Sequence, residues 1–301
     1  MNRFFMALFL SIMMLLPASP VLSAEDPGAG GQQASAQDVA RELANPNSSL
    51  AVLTLRNQYR LYKGDLPGAD DQDNYTALFQ PIFPQKLPES SEGDKRTFFL
   101  RPAIPIVVDQ PVPRPAVNGL DWDGVTALGD IGFDIAYGVT KKSGFLWAFG
   151  MVGTLPTATD EDVAGKQLRL GPEILLGSIH KWGLFGIFPN HQWNVTGWDD
   201  KVYNTTTIQP FIKFLIGDGW SAGSLPIASY DWQENQWTIP LNLTVSNTAI
   251  IGKTPWKYEF EVNYYVEQAD AFGPEWMFAL NISPVVKNPF QKGFNRLIGA
   301  N

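Results

Sequence analysis

Along most of this chain, segments of roughly ten residues alternate apolar and polar positions, and turn residues separate them. In 237–245, Trp237, Ile239, Leu241, Leu243 and Val245 alternate with Thr238, Pro240, Asn242 and Thr244. A strand sends successive side chains to opposite faces, so each segment becomes a ribbon with one apolar and one polar face. About twelve such strands are predicted, near 49–62, 74–84, 96–108, 126–138, 144–155, 167–179, 184–196, 203–216, 220–232, 236–250, 256–267 and 275–287. The spaces at 64–73, 109–124, 156–166, 197–201, 231–235 and 268–274 are long, acidic or irregular. Those at 140–143, 180–183, 218–219 and 252–255 are short turns, and 85–95 is the exception. Long loops alternating with short turns predict an all-β fold, an antiparallel transmembrane outer-membrane β-barrel.

The faces separate by charge. In 97–107, Arg101 opposes Phe98, Leu100, Ile104 and Ile106. Asp130 and Asp134 oppose Ile131, Phe133, Ile135 and Tyr137. Arg169 and Glu173 oppose Leu168, Leu170, Ile174 and Leu176. Lys213 opposes Ile208, Ile212, Phe214 and Ile216, and Lys257, Glu259, Glu261 and Asn263 oppose Tyr258, Phe260, Val262, Tyr264 and Val266. A Lys or Arg on the lipid face at mid-membrane costs about 2–4 kcal/mol, so a bilayer enforces this separation. The segments 184–196 and 220–232 are less cleanly divided. Pro102, Pro172, Pro210 and Pro240 lack a ladder donor, which predicts bulges or strand ends there. A soluble β-sandwich or barrel would show the same alternation around a dry core.

The start of the chain tilts the choice towards the membrane. Arg3, the apolar run from Phe4 to Leu16, Pro17 and Pro20, and small residues near Ser23 and Ala24 read as a signal peptide at 1–24, cleaved near 23–24. An uncleaved anchor is the alternative. Residues 25–47 read as a periplasmic linker and a short helix, Gln37 to Ala44, stopped at Asn45-Pro46-Asn47. That helix is expected in or under the barrel mouth, with a disordered leader as the alternative. The barrel then spans 48–290, and 291–301 is a C-terminal tail. Aromatic content of 13% with ten Trp suits interfacial girdles. With no cysteine, the chain has no disulfide or thiolate chemistry. A net charge of −8 argues against a nucleic-acid partner.

Several stretches carry a family resemblance. They are Leu66-Pro67-Gly68-Ala69-Asp70-Asp71-Gln72-Asp73, Arg101-Pro102-Ala103-Ile104-Pro105, Gly129-Asp130-Ile131-Gly132-Phe133-Asp134, Gly153-Thr154-Leu155-Pro156-Thr157-Ala158-Thr159, Leu170-Gly171-Pro172-Glu173, His191-Gln192-Trp193, and the run from Tyr264 to Pro274. On these, residues 38–290 resemble the outer-membrane transporters of the phenol meta-cleavage (MetA-pathway) degradation family. The resemblance implies a barrel and uptake of small, often aromatic or apolar, compounds. It supplies no catalytic residue. Outer-membrane barrels commonly finish on an aromatic residue, whereas Phe290 here is followed by Gln291 to Asn301.

Enzymatic signals are absent from the sequence. His180 and His191 stand apart from any ligand motif, and no Gly-x-Ser-x-Gly elbow occurs. The glycines at 28–31 follow no strand, so no phosphate loop or cofactor is expected. Asp70, Asp71 and Asp73 form a candidate divalent-ion loop, as do Asp160, Glu161 and Asp162, with a solvated acidic loop as the commoner outcome. The candidate transport residues are the polar-face charges Arg56, Arg60, Arg101, Asp130, Asp134, Arg169, Glu173, Lys213, Lys257, Glu259 and Glu261. Opposite charges crossing a lumen of this size would narrow it, which predicts a selective, constricted passive channel for small solutes. The expected partners are outer-membrane lipid, lipopolysaccharide, the barrel-assembly machinery and a small-molecule solute. The alternatives are a non-conducting structural or surface-binding barrel, a secreted soluble β-rich binding protein and, most weakly, an outer-membrane esterase or phospholipase.

Overall fold

The computed structural model describes residues 34–117, 119–198 and 200–299. The proposed signal at 1–24 lies outside them. Fifteen strand segments form one antiparallel sheet. They are β1 (Ala51–Lys63), β2 (Asp73–Ile82), β3 (Gln85–Leu87), β4 (Lys95–Ala116), β5 (Gly119–Leu128), β6 (Ile131–Thr140), β7 (Phe145–Leu155), β8 (Gln167–His180), β9 (Gly183–Gly197), β10 (Asn204–Gly217), β11 (Trp220–Ser224), β12 (Ala228–Asp231), β13 (Gln236–Ile251), β14 (Thr254–Glu267) and β15 (Gly273–Val286). Three staves are interrupted: β2 continues as β3, β5 as β6, and β11 as β12. The ring therefore has 12 staves. β1 pairs with both β2 and β15, and β10 pairs with β9, which closes the barrel.

Each of the expected strands is present to within a few residues except across 109–124, where a loop was expected. There β4 and β5 continue as a hairpin that projects beyond the other strands. The misreading came from Pro111, Pro113 and Pro115. They occupy every second position of an edge strand, facing Gly124, Trp122 and Leu120. Val112 and Arg114 between them remain free to carry the ladder, so a period-two run of prolines is compatible with a hairpin. The barrel prolines behave in two ways. The register shifts at Ile239/Pro240, as a bulge requires, but it runs unbroken through Pro102 and Pro210.

The outward face is apolar throughout its middle. Phe149 is 60% exposed, Leu241 62% and Leu243 59%, values that only a lipid-facing surface would tolerate together. Aromatic side chains gather towards both ends. Trp182, Phe185 and Phe214 cluster near the short turns, as do Trp256 and Tyr258. Tyr230, Trp232 and Trp237 cluster near the long loops, as do Tyr264 and Trp276. One outward polar residue, Asn57, is satisfied within the sheet. It accepts from the Tyr75 hydroxyl at 2.7 Å and donates to the Leu280 carbonyl at 3.0 Å.

The described parts of both chain ends sit at the short-turn end. Helix α1 (Ala36–Ala44) is opened by a capping box in which Ser35 and Asp38 bond reciprocally. Helix α2 (Gln291–Leu297) follows the last strand and is held to β3 by Gln291, which bonds the backbone of Lys86 in both directions. Phe290 packs edge-on against Phe83 at 5.2 Å.

Candidate functional site

The polar faces of the strands point into the barrel, and their charges form two groups on opposite arcs of the wall. The first joins β1, β10 and β14. Lys213 of β10 reaches Glu259 of β14 across β11 and β13. It passes over Ser221, Gly223, Thr244 and Ser246, whose small side chains leave the path open. Lys257 binds the same Glu259 oxygen at 2.9 Å. Beside them, Arg56 of β1 reaches over β15 to Glu261, its Nη2 lying 2.7 Å from both carboxylate oxygens. The amides of Asn242 and Asn263 also donate to Glu261, at 3.1 and 2.9 Å, and Asn281 donates to Glu259 at 3.4 Å. Arg60, further along β1, bonds two amides, Gln58 at 2.7 Å and Asn74 at 3.2 Å.

The second group joins β4, β6 and β8. Arg101 Nε donates to Asp134 Oδ2 at 2.7 Å. The guanidinium rests on an aromatic floor, 5.5 Å from the ring of Phe99 and 6.0 Å from that of Phe188. Glu173 lies nearby, only 2% exposed. Nearer the long loops, Arg169 stands 4.0 Å from Asp130 and stacks over Tyr203 at 4.5 Å. Asp130 has a distinct task. Its carboxylate accepts the backbone N–H groups of Thr157 and Ala158 at 3.0 and 2.9 Å, and that of Gly165 at 2.7 Å. It folds the loop between β7 and β8.

Towards the short turns the interior becomes apolar. Phe99, Ala136, Leu146, Ala148, Leu175, Leu184 and Phe211 form a buried cluster, with Ala44, Ile179, Phe188 and Leu225 against it. The Phe211 ring lies over Gly186, where a Cβ would come within 2.5 Å of it, so glycine there makes room for the ring. Helix α1 closes the same end. Arg41 donates to the carbonyls of His180 and Lys181, both at 3.1 Å, and Gln37 accepts from Gly219 N at 3.0 Å. Asn47 then donates to the carbonyls of Val139 and Trp147, both at 3.1 Å. A cavity of about 120 Å³ remains between this segment and the wall, lined by Leu43, Pro46, Ser48, Ile82, Phe99 and Arg101 among others.

The eleven charged positions thus fall into two lumen groups plus Arg60, with Asp130 at the loop. The sequence reading put Asn242 and Asn263 on polar faces but did not count them, or Gln58, Asn74 and Asn281, among the candidate transport residues, although all occupy the same period-two faces as the charges. It also passed over the apolar floor. Phe99 and Arg101 share one face of β4, so apolar residues on a polar face near the short turns were the available signal.

The acidic loops do not gather their carboxylates. Asp70 accepts from Gly64 N, and Asp73 from the Tyr59 hydroxyl. Asp162 pairs with Arg114 of the projecting hairpin. Among the described residues, no group of three or more His, Asp or Glu side chains is placed to hold a metal. His180 stacks with Trp182 and Phe185, and His191 Nδ1 bonds the Thr206 hydroxyl at 2.8 Å, both on the outer face.

A closed antiparallel ring, apolar outside and charged inside, defines the fold of an outer-membrane β-barrel. No family model and no curated protein matches the chain. Among solved structures, the chain is similar to an outer membrane channel from Pseudomonas putida F1, at 10% identity and a TM-score of 0.57 over 87% of this chain and 99% of that one. It also aligns with the NanC porin, at 11% identity and a TM-score of 0.47 over 78% of this chain and 99% of that one.

Proposed function

We propose that the protein is an outer-membrane channel that passes small solutes passively through a constricted lumen. The observation that carries this reading is the pair of charged groups projecting into the barrel above a narrow remaining cavity. A barrel of eight strands is filled by its side chains, whereas one of sixteen or more leaves a wide aqueous channel. Here Arg56–Glu261, Lys213–Glu259 and Arg101–Asp134 line the inner wall as paired charges on its opposite arcs, which supports selective rather than wide passage. The long-loop end faces outside and the short-turn end faces the periplasm, as bacterial barrels are built. Residues 1–24 act as a cleaved export signal, and the barrel-assembly machinery, lipid and lipopolysaccharide are the partners. The resemblance to the phenol meta-cleavage family supports small aromatic or apolar compounds as solutes. The protein is not an enzyme and uses no cofactor. Single-channel recording in planar bilayers tests the reading: small conductance steps are expected, and their absence from folded protein would overturn it.

One observation favours a second reading, a barrel that does not conduct. The apolar cluster around Leu146, which is fully buried, and helix α1 together fill the short-turn end. In that case removing residues 34–47 would leave the bilayer electrically silent.

A further inference from the structure

Arg60 carries an unmatched positive charge on the inner wall. Gln58 accepts from its guanidinium at 2.7 Å and Asn74 at 3.2 Å, and among the described residues it pairs with no carboxylate. The other lumen cations differ. Arg56, Arg101, Lys213 and Lys257 each hold a Glu or Asp at close range, and Arg169 stands 4.0 Å from Asp130. Glu261 is not open to Arg60. Both of its oxygens meet Arg56 Nη2 at 2.7 Å, and Oε1 also accepts from Asn242 and Asn263. The immediate surroundings of Arg60 are neutral. Its register partners are Asn74 on β2 and Met277 on β15, and Met277 in turn faces Asn263 on β14. Tyr62, on the same face of β1, and Tyr265 of β14 lie within the electrostatic reach of Arg60. The Tyr62 ring stacks on Phe272 at 4.5 Å, and Phe272 meets Trp122 of the projecting hairpin at 4.7 Å. A row of rings therefore begins beside Arg60 and runs out to the long loops.

We propose that Arg60 is the lumen's binding group for a small aromatic carboxylate, held by its carboxyl group while Tyr62 and Tyr265 flank the ring. This rests on the reading of the barrel as a channel for small solutes and names their class. Charge selects an anion. A guanidinium has five N–H donors, and the two amide bonds engage two of them, so three remain for an acceptor. Its planar fork matches the two oxygens of a carboxylate, and the single charges cancel. A dianion such as a phosphate monoester brings a second charge, and Arg56, the next cation along β1, is already matched by Glu261. The tyrosines select the body of the solute. Aromatic pairs gain more than the area they bury, so flanking rings favour a ring over an alkyl chain.

Equilibrium dialysis of the detergent-folded barrel against benzoate, benzyl alcohol, benzylamine and acetate at neutral pH tests the site. Comparing wild type with Arg60→Gln in the same detergent removes partition into the micelle, and heat-modifiable migration on a gel reports that each variant is folded. Wild type is expected to bind benzoate about tenfold more tightly than the other three compounds. Arg60→Gln should bind benzoate about tenfold more weakly than wild type, the loss that a charge-assisted hydrogen bond implies. Arg60→Lys, which keeps the charge without the fork, should fall between them. Equal binding of benzoate and benzyl alcohol by wild type, or undiminished benzoate binding by folded Arg60→Gln, would overturn the proposal. Equal binding of acetate and benzoate would overturn its aromatic half. The comparison of compounds on wild type decides the matter if Arg60→Gln does not fold. Benzoate entry into proteoliposomes separates the two readings. If benzoate binds at Arg60 but neither benzoate nor ions cross, the channel reading fails and the site survives. If the protein conducts and Arg60→Gln changes neither benzoate binding nor benzoate entry, the site fails and the channel reading survives.

Discussion

Arg56 and Glu261 meet at 2.7 Å although their strands, β1 and β14, share no hydrogen bond. The strand between them, β15, offers Ala279 opposite both Gln58 and Glu261, so the guanidinium crosses over a methyl group. Replacing Glu261 with Gln is expected to leave Arg56 underpaired and to cost about 1–3 kcal/mol of barrel stability. Replacing both with Met should cost less than the single change, because the unmatched charge disappears with its partner. Urea titration of the detergent-folded protein separates the two cases.

Helix α1 is held to the turns by a few side chains, chief among them Arg41, with its bonds to His180 O and Lys181 O. Arg41→Ala should lower the helix's hold by roughly 1.5–3 kcal/mol at most, the range for hydrogen bonds to a charged group. Barrel stability should hardly change, since the strand ladders do not involve this residue. In planar bilayers the variant is expected to show larger or more frequent conductance steps than wild type. Equal conductance would mean that α1 does not limit passage.

Asp130 organises a loop rather than a strand. Without its carboxylate, three backbone N–H groups at Thr157, Ala158 and Gly165 lose their acceptor. Asp130→Ala should therefore make 156–166 markedly more sensitive to added protease while heat-modifiable migration on a gel stays intact. Resistance equal to wild type would show that other contacts hold the loop.

The projecting hairpin is tied to the same loop through Arg114 and Asp162. The hydrogen bond from Arg114 holds the Asp162 carboxyl below its ordinary value of 3.8. A depressed carboxyl supports its contact above the ordinary value and loses it as pH falls through the lowered one. The tether should thus persist at mildly acid pH and release only under more strongly acid conditions, and Asp162→Asn should mimic release at neutral pH. Spin labels on the hairpin and on the loop would report the separation. A distance unchanged in the variant would count against the tether.

The order of events along the chain was legible where physics repeats. Lipid on one side and water on the other enforce a period of two, so β8, with Arg169 and Glu173 against Leu168 and Ile174, could be read without a neighbour. The hairpin at 109–124 could not, because its prolines look like breakers until a partner strand shows which positions need donors. Nor could the pairing of charges be read: Lys213 and Glu259 are 46 positions apart and meet only because β11 and β13 present small side chains between them.

The alternation itself thus determined the strands and their two faces, because each strand meets the same pair of solvents. What only the tertiary structure decided is which inward residues converge. Sidedness is a local property of a strand, whereas the partner of Arg101, the burial of Glu173 and the seat of α1 depend on register around the whole ring and on the small residues that let side chains cross it.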